Sequence, residues 1–407
     1  MNTRWDSSKV RDIHTRLLLS AIREKTSTRT ELARATGLSL PTVGAIVKIL
    51  IEEGYIVNEK LGEYGGGRKP MLLRFVPDAR YIIGVNLGGA KTQAVLADLN
   101  GSFVSEIVSG SSTDLEKNVS GSVISLIEQL QKWGFSWERV AGIGVSVRGC
   151  FDIPNRYYFF PGEQEGHRLQ DDLEDHFQVP VVLERNANAA VLSEWVGRQA
   201  TGVRNLAFVN VGKGVSSGII TDAQLCRGFL GNAGEFGHVV VENAGKICPD
   251  CGQRGCLETV VSTVGLVEAA RENGVLVLDD GDVSVGFLHL VSLARSGDPK
   301  ALQCFEYAVQ TLGQALVSLI NIMNPELVVL GGEVVWCYPE LMDALTEFVL
   351  SRCWPYSRQG LRLEMAPEDK HVFLHGAVTL IRDSLFVPHN NRLAGSSNVN
   401  IGIAGRG

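Results

Sequence analysis

The chain has 407 residues, of which 45% are hydrophobic and 20% charged, and its net charge is −7. That length suggests about two to four domains, and the composition excludes wholesale disorder. No apolar run reaches the roughly 18 residues of a membrane span, and the opening Met1-Asn2-Thr3-Arg4-Trp5-Asp6 lacks the apolar core of a secretion signal. Eight cysteines are too few for a disulfide scaffold, so a cytoplasmic protein is expected.

The charge is unevenly spread. Residues 1–80 hold 14 Lys/Arg against 9 Asp/Glu, and the rest of the chain holds 24 against 36. A basic segment attracts nucleic acid, although a solvated helix face gives the same imbalance.

Val10, Ile13, Leu17 and Ala21, widened by Leu18 and Ile22, predict a first amphipathic helix. Thr28 or Thr30 caps a second, which Gly37 ends. Ser39 caps a third, with Pro41 in its first turn. Val43, Ile46, Val47, Leu50 and Ile51 form its buried face, and Gly54 stops it. Two short strands, 55–57 and 71–75, flank a glycine-rich loop. Small Ala33, turn-forming Gly37, and Val43 and Ile46 beyond it have the spacing of a helix-turn-helix with a β-hairpin wing. A small helical bundle that binds no DNA is the alternative. In the helix-turn-helix frame the third helix points Ser39, Pro41, Thr42, Gly44, Ala45 and Lys48 outward. These small or polar residues suit close approach to base edges, with Lys48 on a phosphate. Arg68 and Lys69, at the tip of the glycine-rich loop, suit a minor groove or phosphates, as a plain linker would also look.

From Tyr81 the grammar changes to α/β. A strand over 81–87, a turn over Gly88–Lys91 and a returning strand over 94–99 precede a helical stretch near 119–133 and a strand over 141–147. The pattern recurs with a strand over 206–211, a glycine-rich turn over 212–218 and a strand over 219–221. Glycine-rich hairpins let backbone N–H groups approach phosphates, but structural turns share that composition.

In this order the chain carries Gly84–Lys91, Gly142-Ile143-Gly144-Val145-Ser146, Ala187-Asn188-Ala189-Ala190, Gly231-Asn232-Ala233-Gly234-Glu235-Phe236-Gly237-His238, Cys251-Gly252-Gln253-Arg254-Gly255-Cys256-Leu257-Glu258 and Asn324–Gly332. With the helix-turn-helix before them, these blocks resemble the ROK family (repressors, open reading frames and kinases), in particular its xylose- and N-acetylglucosamine-type sugar repressors. The resemblance spans about residues 8–388. It implies an α/β fold in which an N-terminal winged helix-turn-helix precedes a two-lobed, actin-like (RNase-H-type) sugar-kinase body with sugar in its cleft. The expected boundaries are 1–80 for DNA binding, 81–195 for the first lobe, 196–386 for the second lobe with dimerisation helices, and 387–407 for a disordered tail.

Cys248, Cys251 and Cys256, with His238 ten residues before the first of them, make a closed tetrahedral donor set for a structural zinc ion. The family's zinc site has this composition, with one spacer residue where this chain has Pro249-Asp250. A Cys-x-x-Cys redox pair or unliganded thiols are the alternatives. The other five cysteines read as reduced thiols.

The resemblance also exposes departures. In the family's kinases an aspartate in an Asn-Asp-Ala-Asn run takes the sugar hydroxyl proton; here the run is Arg185-Asn186-Ala187-Asn188. Asn86 replaces the aspartate that opens the first phosphate hairpin, Ala90 its threonine, and Lys213, Ser216 and Ser217 alter the second. Losing a general base costs about 10²–10⁴ in rate. The positions that contact sugar in the family survive as Glu235, His238 and Glu258, with Asn186 and Asn188 on the neighbouring run. Glu235 and Glu258 are alternatively helix caps or supports of the zinc loop. Arg148 and Arg185 are additions near the cleft that favour an anionic ligand. The expected function is a sugar-responsive DNA-binding regulator, a homodimeric repressor of a palindromic operator that senses a carbohydrate effector without phosphorylating it. An ATP-dependent sugar kinase with a DNA-binding appendage and a repressor governed by a protein partner are the alternatives.

Overall fold

The computed structural model describes residues 7–60, 71–88, 91–111, 118–160, 163–198, 201–276, 282–369 and 371–386. The expected tail, 387–407, lies outside them, as do Arg68, Lys69 and Ala90.

The chain opens with helices α1 (Ser7–Glu24), α2 (Arg29–Thr36) and α3 (Leu40–Glu52) and the hairpin β1 (Ile56–Lys60) and β2 (Met71–Phe75). Then come β3 (Tyr81–Gly88), β4 (Lys91–Asp98), β5 (Val108–Ser111), α4 (Val119–Glu128) and β6 (Val140–Val147). A small ribbon, β7 (Cys150–Asp152) and β8 (Tyr157–Phe159), leads to α5 (Leu169–Phe177), β9 (Val181–Arg185) and α6 (Asn186–Arg198). Next are β10 (Leu206–Val211), β11 (Val215–Thr221) and β12 (Gln224–Leu225). Helices α7 (Glu258–Val261), α8 (Thr263–Glu272), α9 (Val283–Arg295) and α10 (Pro299–Met323) precede β13 (Leu327–Gly331). The remainder is α11 (Glu333–Cys337), α12 (Leu341–Arg352), β14 (Arg362–Met365) and α13 (Val372–Phe386).

Two compact units result. One comprises residues 1–147, 168–184 and 377–407, the other 148–167 and 185–376. The linear boundaries expected at 80, 195 and 386 do not coincide with these units. The DNA-binding segment clusters with the first lobe, residues 185–195 with the second, and most of α13 returns to the first.

In the first unit the sheet order is β5-β4-β3-β6-β9; in the second it is β12-β11-β10-β13-β14. Each pairs its first two long strands antiparallel and adds the next in parallel. The two sheets therefore share one topology, as the recurring strand–turn–strand grammar of the sequence implies. Both faces of each are covered, so the central strands are near-continuously apolar. In the second unit Ala207, Val209, Val328 and Leu330 share one core with Phe287, Leu290, Leu312 and Leu316 of α9 and α10, while α6 packs against β10 and β11.

In the DNA-binding segment local chemistry sets the helix limits. Thr28 and Glu31 form a reciprocal capping box on α2, Gly37 ends it with φ +70°, and Ser39 caps α3 by accepting the N–H of Thr42. Val43, Ile46, Val47 and Leu50 are buried as expected, with Ile51 only half-buried. On α1 Leu18 and Ile22 are buried as expected, Val10, Ile13, Leu17 and Ala21 are half-buried, and Thr15, Arg16 and Leu19, outside the expected stripe, are buried as well. Helices α2 and α3 and strand β2 pack on α1, and Arg16 meets Ser384 of α13.

In the first unit α13 lies directly on β6. A Cβ on Gly144 would fall 1.8 Å from the carbonyl oxygen of Ala377, and one on Gly142 3.1 Å from Ile381. Gly144→Ala is therefore expected to lower stability by about 1–3 kcal/mol or more, because backbone must move to admit the methyl. Gly197→Ala in α6, which meets open space, is expected to be neutral or stabilising by up to about 1 kcal/mol. Urea midpoints of both variants test the contrast.

Candidate functional site

The third helix presents a polar outer face. Ser39, Pro41, Ala45 and Lys48 are exposed, and Thr42 and Gly44 half-buried. The Ser39 hydroxyl is already engaged as the helix cap and lies 2.8 Å from the Thr42 hydroxyl. Lys48 is 77% exposed and 3.8 Å from Glu52, a screened pair that leaves its ammonium able to meet a phosphate. Leu40, which the sequence reading passed over, is 53% exposed at the first turn. An apolar group there suits contact with a thymine methyl.

In the second unit β9 delivers Arg185, and α6 begins at the next residue. Asn186 is half-buried and Asn188 fully buried on its first turns. Arg185 is buried, pairs with Glu235 at 2.8 Å and donates to the Ala233 carbonyl. Arg148 pairs with Asp250 at 2.8 Å. Both added arginines thus have carboxylate partners within the fold.

Glu258 is 8% exposed at the start of α7. Its Oε1 lies 3.1 Å from Cys248 Sγ and 3.8 Å from His238 Nδ1, and its Oε2 accepts the Val215 N–H at 3.4 Å. Glu258 therefore connects the cysteine cluster, His238 and the second glycine hairpin. That hairpin is tighter than expected. Gly212 donates to the Gly214 carbonyl, and β11 begins at Val215, so residues 215–218 are strand rather than turn. Pairing Val211 with Val215 buries both.

The donor atoms of His238, Cys248, Cys251 and Cys256 all lie within 4.8 Å of one another. Cys248 Sγ is 3.7 Å from His238 Nδ1, and Cys251 Sγ is 3.5 Å from Cys256 Sγ. A tetrahedron with metal–sulfur bonds of about 2.3 Å has sulfur–sulfur edges of about 3.7–3.8 Å, so the set matches zinc in size and chemistry. The loop is prepared for thiolate. Backbone N–H groups of Cys251 and Asp250 point to Cys248 Sγ. Gly255 (φ +77°) lets the chain pass against Glu242, whose carbonyl oxygen would be 1.6 Å from a Cβ there. Without a cation, burial pushes the Cys248 thiol well up, and burial with the Cys251 contact raises Cys256 to about 11. A bound cation supplies the charge that holds these thiols ionised.

Asn86 is buried near the end of β3, and neither its Oδ1 nor Thr92 Oγ1 on β4 has a hydrogen-bond partner among the described residues. Two neutral polar groups are therefore buried here without a partner among the described residues.

The sequence profile of the ROK family matches residues 82–384. The chain belongs to the ROK family. A winged helix-turn-helix DNA-binding profile matches residues 11–57. The xylose repressor of Bacillus subtilis (strain 168) is 27% identical over 368 residues, covering 89% of this chain and 92% of the repressor. A glucokinase of Thermotoga maritima is 30% identical over 315 residues, covering 75% of this chain and 98% of the kinase. Among solved structures, a ROK family transcriptional regulator described as a homologue of the Escherichia coli MLC protein superposes with a TM-score of 0.79. It covers 93% of this chain and 97% of its own at 22% identity, a likeness of fold. Among the described residues no single helix is long and apolar enough to cross a membrane.

Purified protein is expected to hold one zinc ion per chain by elemental analysis. Chelation, or Cys251→Ser, is expected to remove it, lower the unfolding temperature by several degrees and speed proteolysis within 239–257, while Cys226→Ser leaves all three unchanged.

Proposed function

We propose that this protein is a sugar-responsive DNA-binding transcriptional regulator acting as a repressor, whose kinase-like body holds a carbohydrate without phosphorylating it. The observation that carries the reading is the joining of a helix-turn-helix with an exposed polar recognition face to a ROK body that bears amides at two positions where transfer needs carboxylates. Ser39, Pro41, Thr42, Gly44, Ala45 and Lys48 face the major groove, and Arg68 and Lys69 the adjoining phosphates or minor groove. Two such segments in a homodimer read a palindrome. Localisation with the DNA, in the cytoplasm, follows from this role. The xylose repressor likeness across most of both chains supports it.

The sugar lies against Asn186, Asn188, Glu235, His238 and Glu258. Charge-assisted hydrogen bonds from carboxylates and an imidazole suit vicinal hydroxyls. With Arg148 and Arg185 already paired, a neutral sugar fits better than a phosphorylated one. Zinc is the structural ion of the His238–Cys256 set. It supplies no chemistry to the sugar and fixes the loop that presents His238 and Glu258.

Phosphoryl transfer needs a base at the sugar hydroxyl and a carboxylate near the metal–phosphate complex. Asn186 and Asn86 stand at those positions, and an amide takes up no proton at neutral pH. Turnover of ATP with any monosaccharide is therefore expected to be undetectable in the wild type. Asn186→Asp alone is expected to leave it so, because Asn86 still lacks charge. Sustained ATP-dependent sugar phosphorylation by the wild type would refute the non-catalytic reading.

A thermal-shift screen of zinc-loaded protein against neutral monosaccharides, sugar phosphates and sugar acids tests the sensor. One neutral sugar class is expected to stabilise the protein, by about 2.7 kcal/mol at 100-fold excess over Kd. No shift with any of them would sink the sugar reading. For the DNA arm, Lys48→Ala removes one phosphate contact in each half-site and is expected to reduce the salt dependence of binding by about two units of slope, read by fluorescence anisotropy on a selected duplex.

A further inference from the structure

Arg16 is completely buried on α1, beside buried Thr15, Leu18 and Leu19. A buried guanidinium is costly unless its donors are matched. Here Nε donates to Asp12 at 2.8 Å, one turn back, and Nη1 donates to the carbonyl of Ser384. Ser384 lies near the end of the described part of α13. Arg16 therefore ties α1 to a helix whose bonded residue lies 368 residues away in sequence.

Two further contacts surround this bond. Phe75, from the wing strand β2, meets Phe386 edge-on with ring centres 5.9 Å apart. The guanidinium of Arg23, two turns along α1 from Arg16, lies 4.3 Å from the centre of the same ring. The covalent connection through 76–80 is a separate tie, where Leu99 donates to the Pro77 carbonyl and Arg139 to that of Asp78. One tie alone permits rotation about it; a second, distant tie removes that freedom.

The near end of α13 is as closely held. In the second unit a Cβ on Gly376 would lie 2.2 Å from the carbonyl oxygen of Ala189 on α6, the helix that begins with Asn186.

We propose that Arg16 is a positioning residue: by bonding to α13 it fixes the orientation of the winged helix-turn-helix on the first unit and so sets the half-site separation that the protein reads. This rests on the DNA-binding reading above, and Arg16 itself touches no DNA in it. Arg16→Met keeps the length and apolar stem but loses every donor, and Arg16→Lys restores one cationic donor.

The test has two arms on the full-length, zinc-loaded chain. In the first, which needs no DNA, trypsin cleavage in the 74–80 connection is timed under native conditions. Arg16→Met is expected to be cut at least about tenfold faster than wild type, Arg16→Lys at an intermediate rate, and Lys48→Ala at the wild-type rate. In the second, duplexes are selected in vitro from a randomised pool. Wild type is expected to recover one half-site sequence at one separation, and Arg16→Met the same half-site at scattered separations. A purely structural role for Arg16 would weaken both without changing the separation. Should Arg16→Met fail to fold, Phe386→Leu, which removes the ring shared by Phe75 and Arg23, is expected to move both readouts the same way. Equal cleavage rates, or the same single separation for wild type and variant, overturn the proposal. Recovery of no DNA by the wild type overturns the DNA-binding reading instead, and the cleavage arm then decides whether Arg16 holds the segment.

Discussion

A Cβ on Gly376 would stand 2.2 Å from a carbonyl of α6, and one on Gly144 1.8 Å from a carbonyl of α13 itself. Neither position tolerates even a methyl without moving backbone, and together they fix the path of α13. That helix starts in one compact unit and ends in the other. Its last described turn carries the carbonyl to which Arg16 bonds and the ring on which Phe75 and Arg23 lean. Within the first unit, the DNA-binding segment therefore rests on the part of α13 that Gly144 admits against β6. Packed interiors transmit such displacements because they have no slack to absorb them.

The second dependence runs through Glu258. A buried carboxylate beside thiols that burial already disfavours as anions is stable only where donors or a cation offset the charge. The Val215 N–H supplies one donor, and the metal-ligating set lies directly against Oε1. The cysteine cluster and the second hairpin thus hold one side chain between them, which leaves Glu258 little freedom to lose.

What the sequence made legible was local. The limits of α2 and α3 follow from Thr28, Gly37 and Ser39, whose hydrogen bonds span three or four residues. The metal set follows from spacing for the same reason. The repeated sheet topology follows from two runs of strand–turn–strand grammar. What it hid depends on partners far along the chain. Buried Arg16 on α1 bonds to Ser384, the arginines at 148 and 185 pair with Asp250 and Glu235, and Glu258 lies against Cys248. The lobe boundaries were misplaced because linear division assumes that a chain fills one unit before starting the next, and this chain returns to the first unit twice.

A kinase body becomes a sensor through a change in what its binding energy must discriminate. Catalysis requires tighter binding of the transition state than of the sugar, and a carboxylate at position 186 would serve that end. Sensing requires tighter binding of one protein conformation than of the other, and an amide that holds the hydroxyl without removing its proton is sufficient. Moving a population from 1:99 to 99:1 takes a differential affinity of about 10⁴. In a homodimer that switches as one body, two sites share this, about a hundredfold each. A few hydrogen bonds made in only one state provide that ratio. The helix that carries Asn186 and Asn188 also bears Ala189, against which Gly376 is packed without a gap. Within the second unit, α6 and the start of α13 are thus in contact too close to admit even a methyl group.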